Sequence, residues 1–222
     1  MLGPQPSAVP STTPSVPTMK TRDNEQTERS DKGMSPDPST HALKREGRAP
    51  VVAVGRFSAK DFGSLWLAWS EAGLVEVSFA PFDWLDTVGV PSLAIPKVYA
   101  EPLKAYFNGE DAQLHTLPRD ARGTPFQHQV WDELCRIPRG SVRSYSGVAL
   151  DIGNPRATRA VGLANGRNPL PVVVPCHRVV AASHQLGGYT GGLDRKRALL
   201  ELEGVHIEGD VVRPGQLTLF EG

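Results

Sequence analysis

The sequence predicts a small α/β domain followed by a mainly α domain of winged helix-turn-helix-like build. Three observations carry this expectation: a hairpin pattern around residue 70, two short helical patterns joined at Gly153, and the absence of Phe, Trp and Tyr before residue 51.

The first 50 residues stand apart. They hold eight of the chain's 20 prolines and no Phe, Trp or Tyr. That is too little apolar surface to offset the entropy of ordering them, so residues 1–50 are expected to form a disordered tail. Met19 and Met34 lie inside it as alternative starts. The opening residues lack a basic stretch followed by an apolar run, and no segment reaches membrane-spanning length. A cytoplasmic protein without a membrane partner is the expectation. The two cysteines, Cys135 and Cys176, are too few for a disulfide framework or a Cys-rich zinc site.

Residues 51–118 read as the α/β domain. Leu65-Trp66-Leu67-Ala68-Trp69 and Leu74-Val75-Glu76-Val77-Ser78-Phe79 flank Ser70-Glu71-Ala72-Gly73, a hairpin with a glycine-bearing turn. Residues 96–107 show helical spacing and stop at Asn108-Gly109. Asp61, Asp83 and Asp86 are scattered acids that read as solubility groups, and no chemistry is expected from this domain.

Residues 119–208 read as the second domain, with 209–222 a C-terminal extension. Thr124-Pro125 opens a helix whose apolar face is Phe126, Val130, Trp131 and Leu134, with Cys135 an inert core residue at its end. Ser144 caps a short helix through Leu150, Gly153 breaks it, and Asn154-Pro155 caps a second helix to about residue 164. Such a pair is a helix-turn-helix pattern, with Arg156 and Arg159 on one side of its second helix; it is also a common piece of plain core.

Charge distributes unevenly although the chain is neutral overall. Between residues 136 and 178 lie seven arginines, Arg136, Arg139, Arg143, Arg156, Arg159, Arg167 and Arg178, against the single acid Asp151. Arginine's planar fork suits phosphate oxygens, and a solvated basic surface is the other reading.

Val172-Val173-Val174 reads as a short buried strand entering Pro175-Cys176-His177-Arg178-Val179. Proline sets the backbone before Cys176. A thiol needs a neighbouring base or cation to become nucleophilic at neutral pH; His177 is the candidate base and Arg178 a nearby charge favouring thiolate. In extended chain the two side chains would face apart, so communication requires a bend or an intervening water. Gly187-Gly188-Tyr189-Thr190-Gly191-Gly192 is a loop able to approach a flat ligand. A last helix over 193–203 ends at Gly204 with Glu203 in its final turn, where the helix dipole disfavours a carboxylate; Glu203 therefore calls for a partner, and His177 fits. On these residues alone three readings stay open: a group acceptor at Cys176, a cysteine hydrolase or acyltransferase built on Cys176, His177 and Glu203, and a DNA-binding regulator without catalysis.

The run Gly123-Thr124-Pro125-Phe126-Gln127, Val130-Trp131, Ile137-Pro138-Arg139-Gly140, Ser144-Tyr145, Gly153-Asn154-Pro155, Arg159-Ala160-Val161-Gly162, Asn168-Pro169, Pro175-Cys176-His177-Arg178-Val179 and Gly191-Gly192-Leu193 resembles the O6-alkylguanine-DNA alkyltransferases. The likeness covers residues 123 to 204, and Tyr106-Phe107-Asn108-Gly109 fits that family's N-terminal domain weakly. The resemblance implies DNA repair by direct reversal: stoichiometric, irreversible transfer of a methyl or other alkyl group from O6 of guanine, with O4 of thymine a second donor, to Cys176. It implies that His177 acts on the thiol through a water, Glu203 polarises His177, Asn168 braces the turn, and Tyr145 gives a proton to the leaving base. It further implies that Arg159 enters the base stack, aided by Arg156 and Arg167, and that Val179, Tyr189 and Thr190 line the base pocket. Alkylated double-stranded DNA is the implied partner, met by a monomer. Family members that bind zinc use N-terminal cysteines this chain lacks, so no metal and no cofactor is expected. Relatives that only bind the lesion carry tryptophan where Cys176 stands.

Overall fold

The computed structural model describes residues 50–59 and 61–213. The expected tail over residues 1–50 lies almost wholly outside the described residues. Strands β1 (Ala53–Ala59), β2 (Gly63–Trp69) and β3 (Leu74–Ser78) form an antiparallel sheet in that order. The β2–β3 hairpin is the expected one, and its register shifts at Ala68/Trp69. β1 was not anticipated. Its solvent alternation is poor, because Gly55 faces a close approach: a Cβ there would lie 2.7 Å from both Ile95 Cγ1 and the Leu93 carbonyl. Period-2 signals fail where consecutive residues are all buried, as at the first three positions of this strand. In β2, Leu65, Leu67 and Trp69 join the main core, while Ala68 packs with Val54 and Phe82 on the other side.

After the one-turn α1 (Leu85–Val88), helix α2 (Lys97–Phe107) turns Tyr99, Leu103 and Tyr106 inward. That i, i+4, i+7 spacing puts all three on one stripe facing the sheet.

The second part is built on α3 (Pro125–Leu134), α4 (Tyr145–Asp151), α5 (Thr158–Gly166) and α6 (Leu193–Leu202). A full capping box starts α3: Thr124 Oγ1 accepts from Gln127 N, and Thr124 N donates to Gln127 Oε1 at 2.8 Å. Trp131 Nε1 donates to the Ala164 carbonyl at 2.9 Å, tying α3 to α5. Ser144 caps α4 as expected, accepting from Gly147 N at 3.0 Å. The second helix of the pair starts later than expected. Asn154 makes no cap, a 3-10 turn occupies Pro155–Ala157, and α5 begins at Thr158, so Arg156 lies on the turn and Arg159 in the first helical turn.

Residues 172–174 are not a strand. Val174 N returns to the Leu170 carbonyl at 2.8 Å, and Val172 takes a positive φ of 75°. Asn168 closes this turn by accepting from Leu170 N and donating to the Val174 carbonyl, each at 2.9 Å. A β-branched residue is strained there; full burial of its side chain offsets the strain. Three consecutive valines suggest a strand, but the turn that starts at Asn168 extends through them to Val174.

Parallel β4 (Arg143–Ser144) and β5 (Val179–Val180) pair beside the cysteine segment. A hairpin of β6 (Ile207–Glu208) and β7 (Val211–Val212) packs Val212 against Val142, Val180, Leu186, Leu200 and Val205. The expected boundary after residue 208 therefore falls inside a hairpin that belongs to the second part's core. Among the described residues no helix is long and apolar enough to cross a membrane.

Candidate active site

Pro175 ends the braced turn, and Cys176–Arg178 then form one 3-10 turn closed by Arg178 N on the Pro175 carbonyl at 3.0 Å. This supplies the bend that an extended chain would lack. Successive residues diverge by roughly a third of a turn in such a helix, so Cys176 (3% exposed) and His177 (fully buried) both point inward.

Cys176 sits in the wall of a cavity of about 260 Å³ lined also by Tyr145, Gly162, Asn165, Gly166, Gly188, Tyr189 and Thr190. Beside the cysteine turn, three elements build it: α4 contributes Tyr145, α5 contributes Gly162, Asn165 and Gly166, and the glycine-rich loop contributes Gly188, Tyr189 and Thr190. Thr190 Oγ1 donates to the Gly166 carbonyl at 3.2 Å, joining loop to helix. From the sheet domain, Phe79 supports the loop: its ring centroid lies 5.9 Å from that of Tyr189, and a Cβ on Gly191 would meet it at 2.5 Å. A larger cavity of about 520 Å³ lies on the other side of this segment, bordered by Tyr106, Cys135, Val172 and Arg178, but Cys176 does not line it.

The residues that follow the cysteine form a buried polar cluster around Glu203. His177 Nε2 lies 2.9 Å from Glu203 Oε1, and Nδ1 is buried without a hydrogen bond among the described residues. Glu203 also accepts from Arg178 Nε at 2.8 Å, from Arg178 Nη2 at 2.9 Å and from the Tyr106 hydroxyl at 2.6 Å. The partner expected for Glu203 is thus His177 together with Arg178 and Tyr106. Burial would raise the Glu203 carboxyl, but His177 and Arg178 outweigh it and hold the group well below the usual carboxylate range. Burial lowers His177 despite the pull of Glu203, which favours the neutral imidazole. A neutral ring donating Nε2–H to the carboxylate leaves Nδ1 as an acceptor.

Burial pushes the Cys176 thiol up to about 11, against a hydrogen bond from Asn168 and the charge of Lys196. Arg178 does not serve as the expected cation beside the thiol. Its guanidinium is committed to Glu203 and, at 2.6 Å, to the Ile137 carbonyl. The nearby cation is Lys196, fully buried, whose Nζ donates to the carbonyls of Val179 at 2.5 Å and of Leu186. Burial brings it down to about 8.

The structure therefore brings Cys176, His177, Glu203, Asn168, Tyr145, Tyr189 and Thr190 together. Val179 is adjacent, yet its side chain lies in the core and what it presents is backbone, its N–H donating to the Cys176 carbonyl and its carbonyl accepting from Lys196. Arg156, Arg159 and Arg167 are exposed along and beside α5, outside the cavity. The arginine cluster splits: Arg143 pairs with Asp151 at 2.8 Å, Arg139 donates to the carbonyls of Gly109 and Leu202, and Arg136 meets Glu133. Cys135 is half-buried and its sulfur accepts from Arg119 at 3.1 Å. Three residues of the site were missed: Lys196, Asn165 and Tyr106, the last from the domain from which no chemistry was expected. The Tyr106-Phe107-Asn108-Gly109 helix end was the one available signal.

A buried cysteine that lines a narrow cavity, followed in the chain by an imidazole hydrogen-bonded to an ionised carboxylate, has the composition of a thiol site. Residues 125–205 match the family model described as the 6-O-methylguanine DNA methyltransferase DNA-binding domain. The methylated-DNA–protein-cysteine methyltransferase of Mycobacterium bovis is 52% identical over 121 residues, 54% of this chain and 69% of its own length. That of Methanosarcina barkeri is 42% identical over 151 residues, 64% and 90%. The solved O6-methylguanine methyltransferase of Mycobacterium tuberculosis superposes with a TM-score of 0.60 at 42% identity, covering 68% of this chain and 92% of that one. A complex of the M. tuberculosis protein with DNA gives 0.61 at 42% identity, with the same coverage. The chain belongs to the methylated-DNA–protein-cysteine methyltransferase family.

Proposed function

We propose that the protein repairs alkylated DNA by moving the O6-alkyl group of guanine onto Cys176, once per chain. The observation that supports this reading is that Cys176 lines the 260 Å³ cavity and that its chain neighbour His177 is hydrogen-bonded to Glu203. A buried thiol held protonated needs a base at the moment of reaction, and His177 Nδ1 is the acceptor at hand, taking the proton through a water. The sulfur then attacks the alkyl carbon, the carbon–O6 bond breaks, and the electron pair leaves with the purine. Tyr145 donates a proton to the ring, so the base departs as neutral guanine. His177, protonated in the same event, is stabilised by Glu203, whose charge Arg178 keeps in place. The thioether formed has no easy route back to thiol, which makes the protein a consumed reagent. The alkylated enol oxygen O4 of thymine offers the same chemistry.

O6 of a stacked base is out of reach inside a duplex, so the nucleotide is extruded into the cavity at a cost of a few kcal/mol. The helix pair α4–α5 acts as the helix-turn-helix of a winged DNA-binding unit. Arg159 fills the gap in the stack through the minor groove, while Arg156 and Arg167 contact phosphate. Support comes from the exposure of all three beside the cavity-lining helix and from Leu163, 64% exposed on the same helix.

The test is stoichiometry. With methylated duplex in excess, the number of lesions removed should equal the number of protein chains and then stop; continued turnover would point instead to a cysteine hydrolase.

A further inference from the structure

The loop over residues 187–192 carries side chains only at Tyr189 and Thr190, so little of its own chemistry fixes its place. The sheet domain supplies a stop against it. Phe79, the residue after β3, has its ring centroid 5.9 Å from that of Tyr189 and 6.1 Å from that of Phe62. Phe62 in turn lies 4.9 Å from Phe107, the last residue of α2, so a row of rings backs Phe79. Arg195, in the first turn of α6, holds its guanidinium carbon 5.1 Å from the Phe79 centroid and donates through Nη1 to the Gly191 carbonyl at 2.9 Å. Gly191 already rests on the ring: a Cβ there would lie 2.5 Å from Phe79 Cε2 and 2.8 Å from Cδ2, separations that real Cβ atoms do not show. The loop therefore has no room to move toward the sheet domain while the ring is present. A second cavity, of about 390 Å³, is lined by Phe79, Thr190, Gly191 and Arg195, and Thr190 lines the Cys176 cavity as well. A loop freed from Phe79 has that space to enter.

We infer that Phe79 is a positioning residue of the sheet domain that limits the size of the alkyl group transferred, by holding Tyr189 and Gly191 in place and so fixing the width of the cavity that Cys176 lines. This rests on the proposed alkyl transfer. Close-packed rings do not yield gradually, so a stop made of Phe79 backed by Phe62 and Phe107 sets a definite limit. A benzyl group brings a six-carbon ring that a methyl group lacks, and the volume it needs is withheld while the loop rests on Phe79. The domain from which no chemistry was expected thereby takes part in choosing the substrate.

The experiment measures transfer from duplexes carrying O6-methylguanine or O6-benzylguanine to wild-type protein, Phe79→Ala and Phe79→Tyr. In Phe79→Ala the ratio of benzyl to methyl rate should rise by at least about tenfold, the least that one added carbon is worth in a close-fitting pocket. Phe79→Tyr keeps the ring and should keep the wild-type ratio. So should Leu103→Ala, a packing change elsewhere in the same domain. The ratio does not depend on how much of a variant is folded. A Phe79→Ala ratio at or below the wild-type value overturns the role of Phe79, and an equal rise in Leu103→Ala does so too, because general loosening then accounts for it. Failure of wild-type protein to accept an alkyl group from either duplex would instead overturn the underlying alkyl-transfer reading.

Discussion

At the residue scale, the chemistry depends on a few side chains that burial has made specific. Cys176→Ala is expected to abolish transfer while retaining binding to methylated duplex, because the cavity and exposed arginines are untouched; a gel-shift assay beside a transfer assay separates the two. Glu203 carries more structural consequence. Its side chain is fully buried against Arg178, so Glu203→Gln leaves a buried guanidinium without its counter-charge, at a cost of about 3 kcal/mol. The sign with pH follows from its lowered carboxyl. Its stabilising contribution is complete above the ordinary value of 4.5 and is lost as pH falls toward the depressed folded value. Urea melts of wild type and Glu203→Gln should therefore differ most near neutrality and converge in acid; a gap that stays constant with pH would contradict the ion-pair account. Cys176, His177 and Glu203 were legible because their types and order carry chemistry. Lys196 was not, since a lysine in a helix reads as solvent-facing until three-dimensional packing encloses it. Arg178 misled for the converse reason: proximity along the chain to Cys176 says nothing of which way the guanidinium points.

At the scale of elements, capping and turn residues marked boundaries well where a side chain does the capping, as at Thr124 and Ser144. They failed at Asn154, where a 3-10 turn intervenes, and at residues 172–174, where Asn168 folds an apolar run into a turn. β1 escaped notice because its first three residues are all buried and include a glycine under the 91–95 segment. Ser144→Ala should lower stability by about 1 kcal/mol through loss of the α4 cap, read by thermal melting. For α5, Arg159→Ala should slow transfer from duplex DNA by at least about tenfold and transfer from free O6-methylguanine by less than about twofold, because only the duplex leaves a gap to fill. Equal losses on both substrates would remove the wedge role.

At the scale of the whole molecule, the sheet domain is joined to the reaction centre. Its fold class was legible from the hairpin and the helix after it, but its contribution was not, because a hydrogen bond across 97 residues leaves no local pattern. Tyr106 donates to the carboxylate that orients His177, with Arg139 5.2 Å above its ring. Its phenol is pushed well above the usual range by burial and by Glu203, so it remains a donor throughout the working pH range. Without that donor, Glu203 would stabilise protonated His177 more strongly. Tyr106→Phe should then move the acid limb of the transfer rate to higher pH, whereas Leu103→Ala, a packing change on the same helix, should lower stability without moving it.

Cys176 itself is the expected recipient of the alkyl group. Intact-protein mass spectrometry after incubation with duplex DNA containing O6-methylguanine, followed by peptide mapping, tests it most directly. The expected result is the mass of one methyl group added per chain, located on the peptide holding Cys176 and absent from that holding Cys135. An unmodified chain beside repaired DNA, or a methyl group on any other residue, would contradict it.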